Sequence, residues 1–242
     1  MTRNILVTGI SRGLGLEIAK LLLENDYIIW GVSRNITIEL QNLMVEYPER
    51  LKYFEFDLIE TKKVKNGIFN KFLRLDTPIY GFVNNAAIAY DDIVTNLNQD
   101  NLENMYRINV FSPMIMTKYV IRNMLLHNIK GSIVHVSSIS VHTGYKGLAM
   151  YASTKGALEA FSKNLAREWG KKGIRSNCVV AGFMETEMSA KLDNEQKNRI
   201  YKRSSLKEPT STYSVASTIE FLLSEKSQSI TGQNIFVDSG TI

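Results

Sequence analysis

The chain has a single cysteine, Cys178, and four prolines in 242 residues. One cysteine cannot close an intramolecular disulfide and gives no zinc-ligand spacing. His127, His135 and His142 form no ligand spacing either, so no metal is expected. No stretch reaches the roughly 18 apolar residues that a membrane span needs. The opening Met-Thr-Arg-Asn runs straight into Ile5–Val7, which is too short for the apolar core of a secretory signal. Linkers rich in Pro, Gly or Ser, internal repeats and low-complexity tracts are absent, and none of the prolines marks a boundary. These absences predict one domain over residues 1–242 in a reducing cytoplasm, away from membranes.

What is present is ordinary for a globular protein: 44% hydrophobic and 22% charged residues. The net charge of +5 is spread out rather than collected in one patch. Its longest basic clusters are the pairs Lys62-Lys63 and Lys171-Lys172, which read as solvated surface rather than a nucleic-acid face. A phosphorylated cofactor or an acidic carrier would be compatible with the surplus.

Short apolar runs alternate with longer amphipathic ones. Strands are expected at Ile5–Val7, Ile28–Val32, Tyr53–Phe56, Ile79–Val83, Ser132–Val136, Asn177–Val180 and Ile235–Val237. Helices are expected at Leu14–Asn25, Thr37–Glu46, Glu60–Arg74, Leu102–Asn128, Tyr151–Lys171 and Tyr213–Ser224. Several strands are continuously apolar, as strands covered on both faces are. The pattern predicts an α/β fold of Rossmann type: a doubly wound parallel sheet of about seven strands with helices on both faces. Two long connections, Ala86–Asn101 and Gly182–Lys207, leave strand ends where ligands bind in such sheets.

After the first strand comes Thr8-Gly9-Ile10-Ser11-Arg12-Gly13-Leu14-Gly15, and then a helix. Glycines let a backbone approach a pyrophosphate, and a helix N-terminus attracts the anion. The plain alternative is a tight turn, but the strand-to-helix context favours a dinucleotide. An NAD site usually carries an acid roughly 20 positions beyond the glycines. Here that region reads Gly31-Val32-Ser33-Arg34-Asn35. Arg34, helped by Arg12, suits a 2′-phosphate instead, which points to NADP(H).

Tyr151 and Lys155 lie four apart at the start of an expected helix and so share a face. A free tyrosine has a pKa of about 10, and a nearby cation lowers it. Such a pair alone is common on solvated helices. Its company is not: Ser138 ends the fifth strand, Asn84-Asn85-Ala86 ends the fourth, and Asn109 lies in the helix between them.

With these motifs the chain resembles the short-chain dehydrogenase/reductase family over nearly its whole length. The resemblance also takes in Gly182–Thr186 (Gly-Phe-x-x-Thr), Ile230–Gln233, and Val237-Asp238. It implies that Tyr151 protonates a carbonyl oxygen as hydride arrives from the nicotinamide, while Ser138 polarises that oxygen. It further implies that Lys155 holds the nicotinamide ribose and lowers the tyrosine pKa, and that Asn109 supports a water in the proton relay. Cofactor contacts would come from Gly9, Ser11, Arg12, Gly13, Leu14, Gly15, Arg34, Asp57, Leu58, Asn85, Ala86, Tyr151, Lys155 and Thr186. Two positions depart from the family pattern. Ala87 replaces a glycine, which restricts positive φ, and Ala181 replaces a proline, which loosens the substrate loop.

Within the family, 3-oxoacyl-(acyl carrier protein) reductases are most similar, through Ser11-Arg12-Gly13, Leu165-Ala166-Arg167-Glu168 and Gly182–Met188. A role in fatty acid biosynthesis follows from that likeness, with Lys130 and Lys172 as a docking patch for an acidic acyl carrier protein. Subgroups acting on sugars, steroids or small secondary alcohols share the motifs, and a non-catalytic nucleotide sensor or scaffold is the remote alternative. Ala152, Gly156, Ala157 and Ala160 give the catalytic helix a small-residue face, which suggests a homotetramer. Met184 and Met188 read as an apolar pocket wall.

Overall fold

The structure, a computed structural model, describes residues 3–74, 76–190 and 192–242, with the side chain of Met188 outside the description. Its strands are β1 (Asn4–Thr8), β2 (Ile28–Ser33), β3 (Leu51–Glu55), β4 (Ile79–Asn84), β5 (Ser132–Ser138), β6 (Arg175–Ala181) and β7 (Asn234–Val237). Among the described residues these form one parallel sheet in the order β3-β2-β1-β4-β5-β6-β7. The α-helices are α1 (Gly13–Glu24), α2 (Ile38–Glu46), α3 (Gln99–Tyr106), α4 (Ser112–Leu126), α5 (Ser140–Thr143), α6 (Ala149–Trp169), α7 (Asn194–Tyr201) and α8 (Thr212–Leu223).

The continuous apolar run of β1 has a simple origin. Successive side chains point to opposite faces, and both faces are covered. Ile5 and Val7 join α1, α2 and α8 in one core, while Leu6 joins α4, α6 and the 65–72 segment in the other. Strand order reverses at the β1/β4 pair, so the connections leaving those two strands diverge and open a crevice at the carboxyl edge.

Three expectations are corrected. The helix expected over Glu60–Arg74 is a 3-10 turn (Thr61–Lys63) followed by a π-helical segment (Lys65–Phe72). Gly67 backs onto Phe56, where a Cβ would come within 2.9 Å of the ring, so the wider turn accommodates an aromatic layer. The helix expected over Leu102–Asn128 is broken into α3, a π-helical turn (Arg107–Phe111) and α4, with Pro113 in the first turn of α4. The connection Gly182–Lys207 is partly ordered. It contains the 3-10 turn Glu187–Ser189 and α7, which starts with a capping box between Asp193 and Gln196.

Glu159 anchors α6 to the sheet. Only 8% exposed, its carboxylate accepts from Ser137 Oγ of β5 at 2.5 Å and Asn234 Nδ2 of β7 at 2.7 Å. His142 Nε2 of α5 lies 3.0 Å from the same group. A buried carboxylate with this many partners is held by strong, charge-assisted bonds. Glu159→Ala strands those partners, and urea unfolding should show a loss of about 2–4 kcal/mol. A loss within the roughly 0.5 kcal/mol of an ordinary surface change would remove this anchoring role.

Candidate active site

The glycine turn is held from across the switch point. Thr8 Oγ1 accepts from the backbone N–H groups of Asn85 and Ala86, both at 3.1 Å. Asn85 Nδ2 donates in return to the carbonyls of Thr8 at 3.1 Å and Gly9 at 3.2 Å. The packing leaves no space for side chains. A Cβ on Gly15 would lie 1.9 Å from the Gly9 carbonyl oxygen, and Gly9 itself has φ +74°. Arg12, the N-cap of α1, makes no side-chain cap, and the first turn holds no acid. That uncapped helix end, approached by Cβ-free backbone, fits a pyrophosphate.

The loop after β2 closes beside it. Thr37 Oγ1 donates to the Ser11 carbonyl at 2.6 Å and caps α2. The same loop carries Arg34, which is exposed and without an ion pair among the described residues. Arg12 does not point to Arg34; its guanidinium pairs with Glu187 of the loop after β6. Past the end of β3, Asp57 is exposed and its Oδ1 accepts from Ile59 N at 3.0 Å, while Leu58 is buried in the core.

Ser138 ends β5 and Tyr151 lies in the first turn of α6, with the Ser138 hydroxyl close enough to lower the pKa of the phenol. Ser138 Oγ accepts from Ser140 Oγ at 3.0 Å. Lys155 is 2% exposed. Its Nζ donates to the Val136 carbonyl at 2.8 Å and lies 5.7 Å from the Tyr151 ring centroid. The electrostatics differ from the expected lysine-lowered phenol. Burial pushes the Tyr151 phenol above its ordinary value, Asp91 adds to the rise, and the Ser138 hydroxyl only partly opposes it. Burial likewise pulls the Lys155 ammonium down to about 8. Both shifts are therefore toward the neutral forms, because desolvation is the largest influence on each.

Asn109 is fully buried in the π-helical turn, and its side chain is occupied. Nδ2 donates to the Ile88 carbonyl at 2.8 Å and Thr154 Oγ1 at 3.1 Å, while Oδ1 accepts from Ile88 N at 2.9 Å. The side chain thus clamps the loop after β4. Pro113, four residues on, has no N–H and so cannot give the Asn109 carbonyl its usual i+4 helical partner.

Other readings shift with the structure. Thr186 lies against the glycine turn, 3.6 Å from where a Gly13 Cβ would stand. Ala87 is not among the residues with positive φ, so its methyl is accommodated without strain. Met184 packs against the core, and the Met188 side chain lies outside the described residues. Gly156 faces Val141 of its own chain, so part of the small-residue face serves internal packing. Lys130 and Lys172 flank one corner, with Lys130 against Gly173. They stand before β5 and β6, at the sheet edge opposite Ser138, because strands in a parallel sheet all run one way.

His135 has no metal-ligand spacing in the sequence, and the structure gives it another place. It is fully buried in β5, its Nδ1 lies 3.4 Å from Asn84 Nδ2, and burial with the Lys155 charge lowers its pKa to about 3. A histidine inside an otherwise apolar strand was the available signal.

Among the described residues no helix is long and apolar enough to cross a membrane. Residues 9–241 match the family described as Enoyl-(Acyl carrier protein) reductase. The 3-oxoacyl-[acyl-carrier-protein] reductase of Chlamydia pneumoniae is 33% identical over 240 residues, covering 98% of this chain and 96% of that protein. The L-xylulose reductase of Caenorhabditis elegans is 29% identical over 242 residues, covering 98% of this chain and 95% of its own. Among solved structures, ElxO with NADP bound superposes with a TM-score of 0.91 at 29% identity, covering 100% of this chain and 99% of the other. The switch-point crevice, the Ser138–Tyr151–Lys155 grouping and these likenesses agree: the chain belongs to the short-chain dehydrogenase/reductase family of oxidoreductases.

Proposed function

We propose that this protein reduces a carbonyl to an alcohol with NADPH, and that its substrate is a 3-oxoacyl thioester carried on acyl carrier protein. The observation that carries the reading is the pair of neighbouring hydroxyls, Tyr151 and Ser138, beside a buried lysine at the mouth of a phosphate-fitting turn. NADP is favoured by Arg34 and Arg12 at the turn and by the cofactor in the ElxO structure. The thioester is favoured by the Chlamydia pneumoniae reductase. Two hydroxyls directed at one oxygen suit reduction of a carbonyl better than reduction of a carbon–carbon double bond, in which the proton ends on carbon. The similarity to L-xylulose reductase supports a sugar ketone as the second reading.

Bound in the crevice, the nicotinamide supplies the hydride. Tyr151 gives its phenolic proton to the substrate oxygen, and Ser138 donates a second hydrogen bond that stabilises charge developing there. A phenol held above its ordinary pKa keeps its proton at neutral pH, which suits the reductive direction. Lys155 places a positive charge beside the phenolate left behind.

Tyr151→Phe should lower turnover by at least about 10²-fold while leaving NADPH binding near wild type. A variant with a near-wild-type rate would falsify the donor assignment. NADPH oxidation with acetoacetyl-CoA, a carrier-free thioester, tests the substrate class. Rapid oxidation supports it, whereas tight NADPH binding without oxidation moves the reading to sugar ketones.

The depressed lysine also predicts a pH effect. Between about 8 and 10 the unfolded chain holds the Lys155 proton more tightly than the folded one, so stability rises with pH in that window. Above 10 the raised Tyr151 works in the opposite sense, since the unfolded chain then loses its proton first. Urea unfolding of wild type against Lys155→Met should isolate the rising limb. Identical pH profiles would show that Lys155 does not titrate as its burial implies.

A further inference from the structure

The best-defined polar contact between the phosphate turn and the loop after β6 is an ion pair that occupies a cofactor-facing arginine. Arg12 is the N-cap of α1, and its guanidinium pairs with the Glu187 carboxylate. Glu187 is held there by local structure. Its turn is fixed by Ser189 Oγ, which accepts from Thr186 N at 3.0 Å and donates to the Met184 carbonyl at 3.0 Å. Thr186 itself rests against Gly13. The carboxylate is therefore presented to the turn by a short braced segment.

Arg34, just past the end of β2, has no such partner among the described residues, and Thr37 ties its loop to Ser11. A 2′-phosphate that reaches both arginines finds one available and one taken. From this we propose that Glu187 tunes the choice between phosphorylated and unphosphorylated dinucleotides by competing with the 2′-phosphate for Arg12. The proposal rests on the NADP reading above and adds a selectivity residue to it. Two anions compete for one cation, so the 2′-phosphate must displace the carboxylate or share Arg12 with it, and either costs affinity. An unphosphorylated ribose brings no competing charge and leaves the pair intact. Because Arg12 and Glu187 side chains are 58% and 63% exposed, the effect is moderate and weakens with salt.

The test is a set of dissociation constants for NADPH and NADH, by nicotinamide fluorescence, on the wild type, Glu187→Gln, Arg12→Ala and the double variant. Circular dichroism checks that each is folded. Glu187→Gln should tighten NADPH by about two- to fivefold, the span expected of an exposed ion pair, and leave NADH unchanged. The gain should vanish in the Arg12→Ala background and shrink as ionic strength rises. No change, an equal change for both cofactors, or the same gain without Arg12 would each overturn the proposal. A wild type that binds NADH more tightly than NADPH would instead overturn the NADP reading, whatever Glu187→Gln does.

Discussion

Thr8, at the carboxyl end of β1, accepts two backbone N–H groups from the turn after β4, on the far side of the switch point. Neighbouring parts of the crevice are linked to that bond pair. Because Asn85 answers by holding the Thr8 and Gly9 carbonyls, the two turns behave as one unit. Their separation is so small that Gly9 and Gly15 tolerate no Cβ. The unit continues outward through Ile88, which Asn109 clamps, and Asn109 in turn donates to Thr154 of α6. A continuous polar path thus connects the phosphate turn to the helix that carries Tyr151 and Lys155. Anchored at its other side by Glu159, that helix has little freedom to move the two groups relative to the turn.

The same burial that makes the site rigid sets its charges. Lys155 and His135 lie in or beside the dry interior of the sheet–helix layer, and both lose affinity for protons there. Tyr151 gains affinity for its own. A free-standing Tyr–Lys pair would settle toward phenolate and ammonium, but desolvation reverses that preference. The protonated phenol is the form that reduction consumes. At the outer rim, exposed Arg12, paired with Glu187, and exposed Arg34 carry positive charge that solvent screens and an anion can reach.

The strand-and-helix alternation was readable because each strand is apolar on both faces and each helix on one. Ile5, Leu6 and Val7 make this plain, dividing between two cores. The motifs were readable for a related reason. Glycines at a turn without space, and polar residues closing apolar strands, are chemical choices visible one residue at a time. The break at Arg107–Phe111 was not visible, because the hydrophobic period continues across a π-helical turn and Pro113 is tolerated in the first turn of α4. The composition of α7 is so polar that no apolar stripe marked it, and the helix was not expected there.

By itself, the sequence determined the sheet type and the run of strands along the chain, since these follow from periodicity, while the candidate residues for hydride chemistry came from its resemblance to a family. Tertiary structure alone decided how those residues are charged and which partner each takes. It turned Arg12 toward Glu187, committed the Asn109 side chain to Ile88 and Thr154, and sent Lys130 and Lys172 to the far edge. The reason is physical. Desolvation and pairing depend on atoms that lie tens to hundreds of residues away along the chain, and local pattern contains no record of them.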